Sequence, residues 1–177
     1  MKHRILFVAS LLLLLSTGMH ARRVIIKKDP MLIRLDAVYR LVSQGTTFAD
    51  GQQSGLLGKR LAYGQYAPKQ KLAAVKTERY SWNKSTGRWG YTAGLGSFTS
   101  AGTDKRTALQ QKTIRTLNEW ASRMGVEPTD LSNTASKGPN QTIWIYSDAE
   151  TKTLVSLVSQ YSKSAKATAL VVRVEAM

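Results

Sequence analysis

The chain predicts an α+β fold: a single compact domain with an N-terminal helix, a central β-hairpin and a C-terminal β-α-β unit, its helices packed on one face of a small mixed sheet of three to five strands. Three observations carry this. Two stretches, 29–45 and 104–125, place apolar residues at helical spacing between capping residues. A third, 79–92, alternates polar and aromatic residues on either side of a turn-forming run. The last third reads as strand, helix, strand, which implies a right-handed crossover and parallel strands.

Taken in order, Met1-Lys2-His3-Arg4 is a short positive start, Ile5 to Leu15 an apolar run, and Ser16-Thr17-Gly18 a small polar end. This is the form of a secretory signal peptide over 1–21, cut after Gly18 or Ala21. The apolar run is about 11 residues long, short of the roughly 20 that span a bilayer. A periplasmic or secreted location follows. Residues 22–28, with Val24-Ile25-Ile26 between paired cations, form a basic arm or an edge strand, and 29–177 is the globular domain.

Asp29 caps the first helix and Pro30 suits its first turn; Met31, Leu35, Val38 and Val42 make its stripe before Gly45. The glycine-rich 46–59 reads as a loop, and Leu72-Ala73-Ala74-Val75 fits helix or strand. In the hairpin, Tyr80 and Trp82 alternate before Asn83-Lys84-Ser85-Thr86-Gly87, and Trp89 and Tyr91 after it. The helix over 104–124, capped by Thr103 or Asp104, buries Leu109, Ile114, Leu117, Trp120, Ala121 and Met124, with Gly125 and Pro128 ending it. Thr142 to Tyr146 is a strand. Ser147-Asp148-Ala149-Glu150 has the pattern of a capping box, opening a helix to about 162 with Leu154, Leu157, Val158 and Tyr161 inside. Ala167 to Val174 reads as a strand buried on both faces.

The only histidines, His3 and His20, lie in the leader, and there is no cysteine. A mature chain without imidazole or thiol has no Ser-His-Asp triad, no Cys-His pair and no zinc site of nitrogen or sulfur ligands. Ser81-Trp82-Asn83-Lys84 matches S-x-x-K, but its S-D-N and K-T-G companions are missing. Glu78 stands alone among cations, which lowers a carboxyl's pKa and unsuits it as a general acid. The reading is therefore a non-enzymatic protein with no catalytic residue, metal or cofactor.

Charge supplies the positive argument. The chain carries 26 Lys and Arg against 11 Asp and Glu, a net +15. Removing Lys2 and Arg4 with the leader leaves 24 − 11 = +13, which draws a protein to polyanions. Between Lys59 and Tyr91 the cations interleave with aromatic rings. Rings and cations together suit glycans or single-stranded nucleic acid. The predicted ligand surface is Arg79, Trp82, Lys84, Arg88, Trp89 and Tyr91, extended by Lys69, Lys71 and Lys76; Trp82 and Trp89 fit a core or a stacking platform alike.

Tyr91-Thr92-Ala93-Gly94-Leu95-Gly96-Ser97-Phe98, followed by a helix and then the strand-helix-strand pattern, is similar to the opening of the SPOR peptidoglycan-binding domain. It departs from that family at Gly94, where a glutamine is usual. The resemblance implies a small α/β fold and cell-wall glycan as ligand. The expectation is an exported binding protein for an anionic cell-envelope polymer, peptidoglycan or a similar glycan. Lipopolysaccharide and nucleic acid are the other anionic candidates. The alternatives are a protein-interaction component of an envelope assembly, such as a secretion or conjugation apparatus, and a secreted effector acting on nucleic acid.

Overall fold

The computed structural model describes residues 29–45, 47–132 and 140–177. The leader and the basic arm predicted over 1–28 lie outside the described residues. The elements are α1 (Pro30–Gln44), α2 (Phe48–Gln53), β1 (Leu57–Ala62), β2 (Gln65–Pro68), β3 (Thr77–Asn83), β4 (Arg88–Phe98), a 3-10 turn (Ser100–Gly102), α3 (Thr103–Met124), β5 (Thr129–Asp130), β6 (Asn140–Asp148), β7 (Thr153–Ser162) and β8 (Ala167–Ala176).

The eight strands form one sheet in the order β1-β2-β3-β4-β8-β7-β6-β5. Every neighbouring pair is antiparallel. The predicted small mixed sheet with a C-terminal β-α-β unit is thus corrected to a larger, wholly antiparallel, sheet-dominated fold. The decisive segment is 149–162, expected as a helix. It is a turn and then β7. Leu154, Leu157, Val158 and Tyr161 do fall at helical spacing, but Val155 and Ser156 between them are also buried. A continuous Thr-Leu-Val-Ser-Leu-Val run, rich in β-branched residues and closed on both sides, is what a central strand requires. Asp148 does not cap a helix. Its Oδ1 accepts from the backbone N–H of Glu150 (2.9 Å) and Thr151 (3.2 Å), closing the β6–β7 turn. Two smaller corrections concern 46–59, where α2 and the start of β1 replace the expected loop.

The pleat sorts side chains onto two faces. Across the centre, Tyr80, Tyr91, Val174, Val155 and Tyr146 stand in register on one face. Glu78, Ala93, Val172, Leu157 and Trp144 form the next row on the same face. The helices cover this side: Tyr39 of α1 and Trp120 of α3 pack edge-on at 5.4 Å, and both meet Tyr146 of β6. Leu32, Leu35, Val38 and Val42 of α1 and Leu117 and Trp120 of α3 are buried there. α3 carries the chain over this face from β4 at the centre to β5 at the far edge.

The strand order reads the same from either end once β1–β4 are exchanged with β5–β8, so a pseudo-twofold axis relates the halves. The sequence keeps step with it. Leu35 and Ile114 are 114 − 35 = 79 residues apart, and so are Val38 and Leu117, Leu41 and Trp120, and Val42 and Ala121, all buried. The hairpin turns at Asn83–Gly87 and Ser162–Lys166 keep that spacing, and so do Ala93 and Val172, which face each other across the β4–β8 seam.

Candidate functional site

Strand alternation separates what the sequence interleaves. Tyr80, Trp82, Trp89 and Tyr91 point to the helix face, while Arg79 and Arg88 point to the other. Trp89 and Tyr91 are buried, at 0% and 2% exposure, so neither offers a ring face to a ligand; as stacking residues they are corrected to core. Trp89 stacks on Phe48 of α2 at 5.6 Å and donates its Nε1–H to the Thr47 carbonyl at 3.1 Å. Trp82, half-buried, packs on Trp89 and Phe48 at 5.2 and 5.8 Å. These rings hold α2 to the hairpin.

Beneath α1 lies a buried charge pair. Arg34 Nε is 3.1 Å from Glu78 Oε1. Glu78 Oε1 also accepts from the Tyr91 hydroxyl at 2.9 Å, and Oε2 from the Leu72 N–H at 3.2 Å. Arg34 donates further to the Tyr80 hydroxyl at 2.9 Å and to the Gln70 carbonyl. Burial pushes the Tyr80 phenol up to about 12. Tyr91 is raised as well, by burial and then by the adjacent Glu78 carboxylate. With these partners satisfied and no imidazole or thiol among the described residues, the cluster is suited to holding structure.

The opposite face carries cations outside any ion pair, as do the exposed sides of α1 and α3. No described helix packs on it. One row runs Arg79, Thr92, Arg173, Ser156 and Ile145 across five strands. Ser81, Gly90, Thr77 and Gly94 flank it on β3 and β4, and Gly94 leaves room for its neighbour: a Cβ there would stand 2.3 Å from Thr77 Oγ1 and the hydroxyl would have to turn away. The β7 and β8 part is closed by Ser156, Val158 and Val171, all buried. The accessible part is therefore the basic, hydroxyl-bearing region from β2 to Arg173.

At its edge is a hollow of about 380 Å³ lined by Gln65, Lys71, Lys76, Thr77, Arg79 and Thr92, with Leu61, Ala67, Pro68 and Glu78 completing the wall. Arg79 is steadied by Gln65, its Nη1–H donating to Oε1 at 3.1 Å. Among the described residues the ion pairs are Arg34–Glu78 and Arg123–Glu119, so Lys71, Lys76, Arg79 and Arg173 have no carboxylate partner. Of the other residues predicted for the surface, Lys84 is exposed in the β3–β4 turn and Lys69 is exposed on the β2–β3 connection. Arg88 lies on the same face as Arg79 but donates Nη2–H to the Thr151 carbonyl at 2.6 Å, tying β4 to the β6–β7 turn. Sequence reasoning missed Gln65, Thr77, Thr92 and Arg173. Arg173 carried a signal: it is the one cation inside an otherwise mostly apolar strand, and a charge there marks an open face.

Among the described residues no three or more His, Cys, Asp or Glu side chains gather as a metal site, and no helix is long and apolar enough to cross a membrane. No protein-family model, curated protein or solved structure matches the chain. The strand-helix-strand pattern behind the SPOR resemblance is absent from the fold, since β7 occupies the place of the helix.

Proposed function

We propose that this is an exported, non-enzymatic binding protein for an anionic polymer of the cell envelope, peptidoglycan or a similar glycan, held on the helix-free face of the sheet. One observation carries the reading: Arg79, Arg173, Lys71 and Lys76 gather on or beside that face outside any ion pair, and the carboxylate that shares the face, Glu175, lies toward the β8 end, away from the hollow. Hydroxyls of Thr77, Thr92 and Ser81 lie among them. Cations with hydroxyls suit a polyhydroxylated chain bearing carboxylates or phosphates. Single-stranded nucleic acid is the weaker fit, because the rings expected to stack its bases, Trp82, Trp89 and Tyr91, are on the other face or in the core.

The test is retention of the purified protein on insoluble peptidoglycan and on single-stranded DNA across a salt series. Wild type is expected to stay on peptidoglycan at salt that releases it from DNA. Arg79→Gln with Arg173→Gln should elute from peptidoglycan at distinctly lower salt, as loss of two cations requires. Unchanged elution of that double variant, or stronger retention on DNA, overturns the proposal.

A further inference from the structure

The hollow at the edge of the cationic face has a feature that distinguishes it from a generally basic surface. Its one carboxylate, Glu78, is turned inward and already committed to Arg34, the Tyr91 hydroxyl and the Leu72 N–H. The three cations on its rim, Lys71, Lys76 and Arg79, thus line a hollow into which no carboxylate is directed. The backbone of the rim is also held in place. The Lys76 N–H donates to the Gly94 carbonyl at 2.8 Å, anchoring the entry to β3. Arg34 donates to the Gln70 carbonyl and Glu78 accepts from Leu72 N–H, so the buried pair grips the chain on both sides of Lys71. Arg79 is oriented by Gln65, and Thr77 is seated against Gly94.

We propose that this hollow is a seat for one oxyanion, a phosphate or carboxylate group, with Lys71, Lys76 and Arg79 as its charged contacts, Thr77 and Thr92 as hydroxyl donors, and Arg34 and Glu78 as positioning residues for Lys71. The inference rests on the proposed function and deepens it: the polymer would be gripped at a defined anionic substituent, the rest of the face supplying weaker contacts along the chain. A backbone already held in place lowers part of the ordering cost of binding, and a guanidinium can take two oxygens of one anion at once.

The experiment is titration of the protein with inorganic phosphate and, separately, with acetate, at constant ionic strength, followed through backbone amide resonances. Saturable shifts are expected at Lys71, Lys76, Thr77, Arg79 and Thr92, and smaller ones at Arg173. The larger response to phosphate or to acetate assigns the substituent. Lys76→Gln with Arg79→Gln, both exposed positions, should weaken the preferred anion about tenfold or more, as expected for two lost charge-assisted contacts, with an unchanged thermal midpoint. Arg34→Met should leave those two cations in place yet broaden or displace the Lys71 response, whereas a merely stabilising Arg34 would lower the midpoint alone. Shifts spread evenly over all basic regions, or an unaltered affinity in the Lys76–Arg79 variant, overturn the seat. Loss of the seat with peptidoglycan retention intact sinks this inference alone. Anion binding at the hollow without retention on peptidoglycan sinks the proposed polymer instead.

Discussion

At the scale of single residues, buried charge and buried glycine set the strongest constraints. Removing one partner of Arg34–Glu78 leaves the other charge in the core without compensation, at a cost of about 3–5 kcal/mol. Glu78→Gln and Arg34→Met should each show a loss of that order in denaturant unfolding. The paired replacement Arg34→Met/Glu78→Leu should lose less than the two single losses combined, because no charge is then stranded. Asp148 makes a different prediction. Its carboxylate accepts from Thr151 Oγ1 at 2.6 Å, from the Tyr39 hydroxyl and from two backbone N–H groups, and these bonds, Thr151 first, bring its pKa down to about 2. A folded-state pKa below the unfolded value means stability that is full above about pH 4 and is lost as pH falls toward 2. Thermal midpoints should fall over that window in wild type and fall less in Asp148→Asn, which is the less stable of the two near neutrality. An identical acid profile for both proteins would remove Asp148 from the account. Gly51 sits against the Trp89 ring, where a Cβ would approach to 2.1 Å. Gly51→Ala should therefore displace α2 and cost about 1–3 kcal/mol by overpacking.

At the scale of elements, three hairpins share one turn design. Asn83, Asp148 and Ser162 each turn a side-chain oxygen onto backbone N–H groups two or three residues on. Each turn then ends in a left-handed residue: Gly87 at φ 63°, Lys152 at 51° and Lys166 at 47°. A side chain in that region costs about 1 kcal/mol relative to glycine. Lys166→Gly should thus raise the unfolding free energy by roughly 0.5–1 kcal/mol, and Gly87→Lys should lower it by a like amount; the reverse ordering in denaturant melts would refute the shared design. This is also where legibility in the sequence divides. α1, α3 and the β3–β4 hairpin were readable because caps, glycine stops and alternation are local signals. The β6–β7 turn was not, since Ser147-Asp148-Ala149-Glu150 serves a helix start and an Asx turn equally well, and only pairing with β6 and β8 selects the strand. For the site, the alternation Arg79-Tyr80-Ser81-Trp82 already stated that cation and ring face opposite ways. What it left open was which face the helices would cover, and that is decided by contacts between residues far apart in the chain, such as Tyr39 with Tyr146.

At the scale of the whole molecule, the pseudo-twofold arrangement puts the seam between β4 and β8 at the centre of one shared core. Halves that only touched would unfold separately; these are joined by a ladder from Tyr91–Val174 to Phe98–Thr168, interrupted by one bulge at Leu95, and α1 packs against α3 as well as on β4, β7 and β8. The two edges are unlike the centre. β5 has only Thr129 and Asp130, and β1 is irregular in register, mostly exposed, and bears Lys59 and Arg60, which discourages pairing with a foreign strand. Local opening takes place where buried contacts are few, so amide exchange should be slowest in β4, β7 and β8 and fastest in β1 and β5, with β3 and β6 between. A substitution at the seam tests the same point by energy. Val172→Ala removes two methyl groups from a fully buried position facing Ala93, so about 1–3 kcal/mol should be lost. Because the core is shared, exchange should accelerate in both halves together, in Tyr80 and Tyr91 as much as in Leu157 and Val155. Acceleration confined to β7 and β8 would mean that the two halves are independent units joined by a hinge. In that case the cationic face, which runs from Arg79 across the seam to Arg173, would not be a single rigid surface.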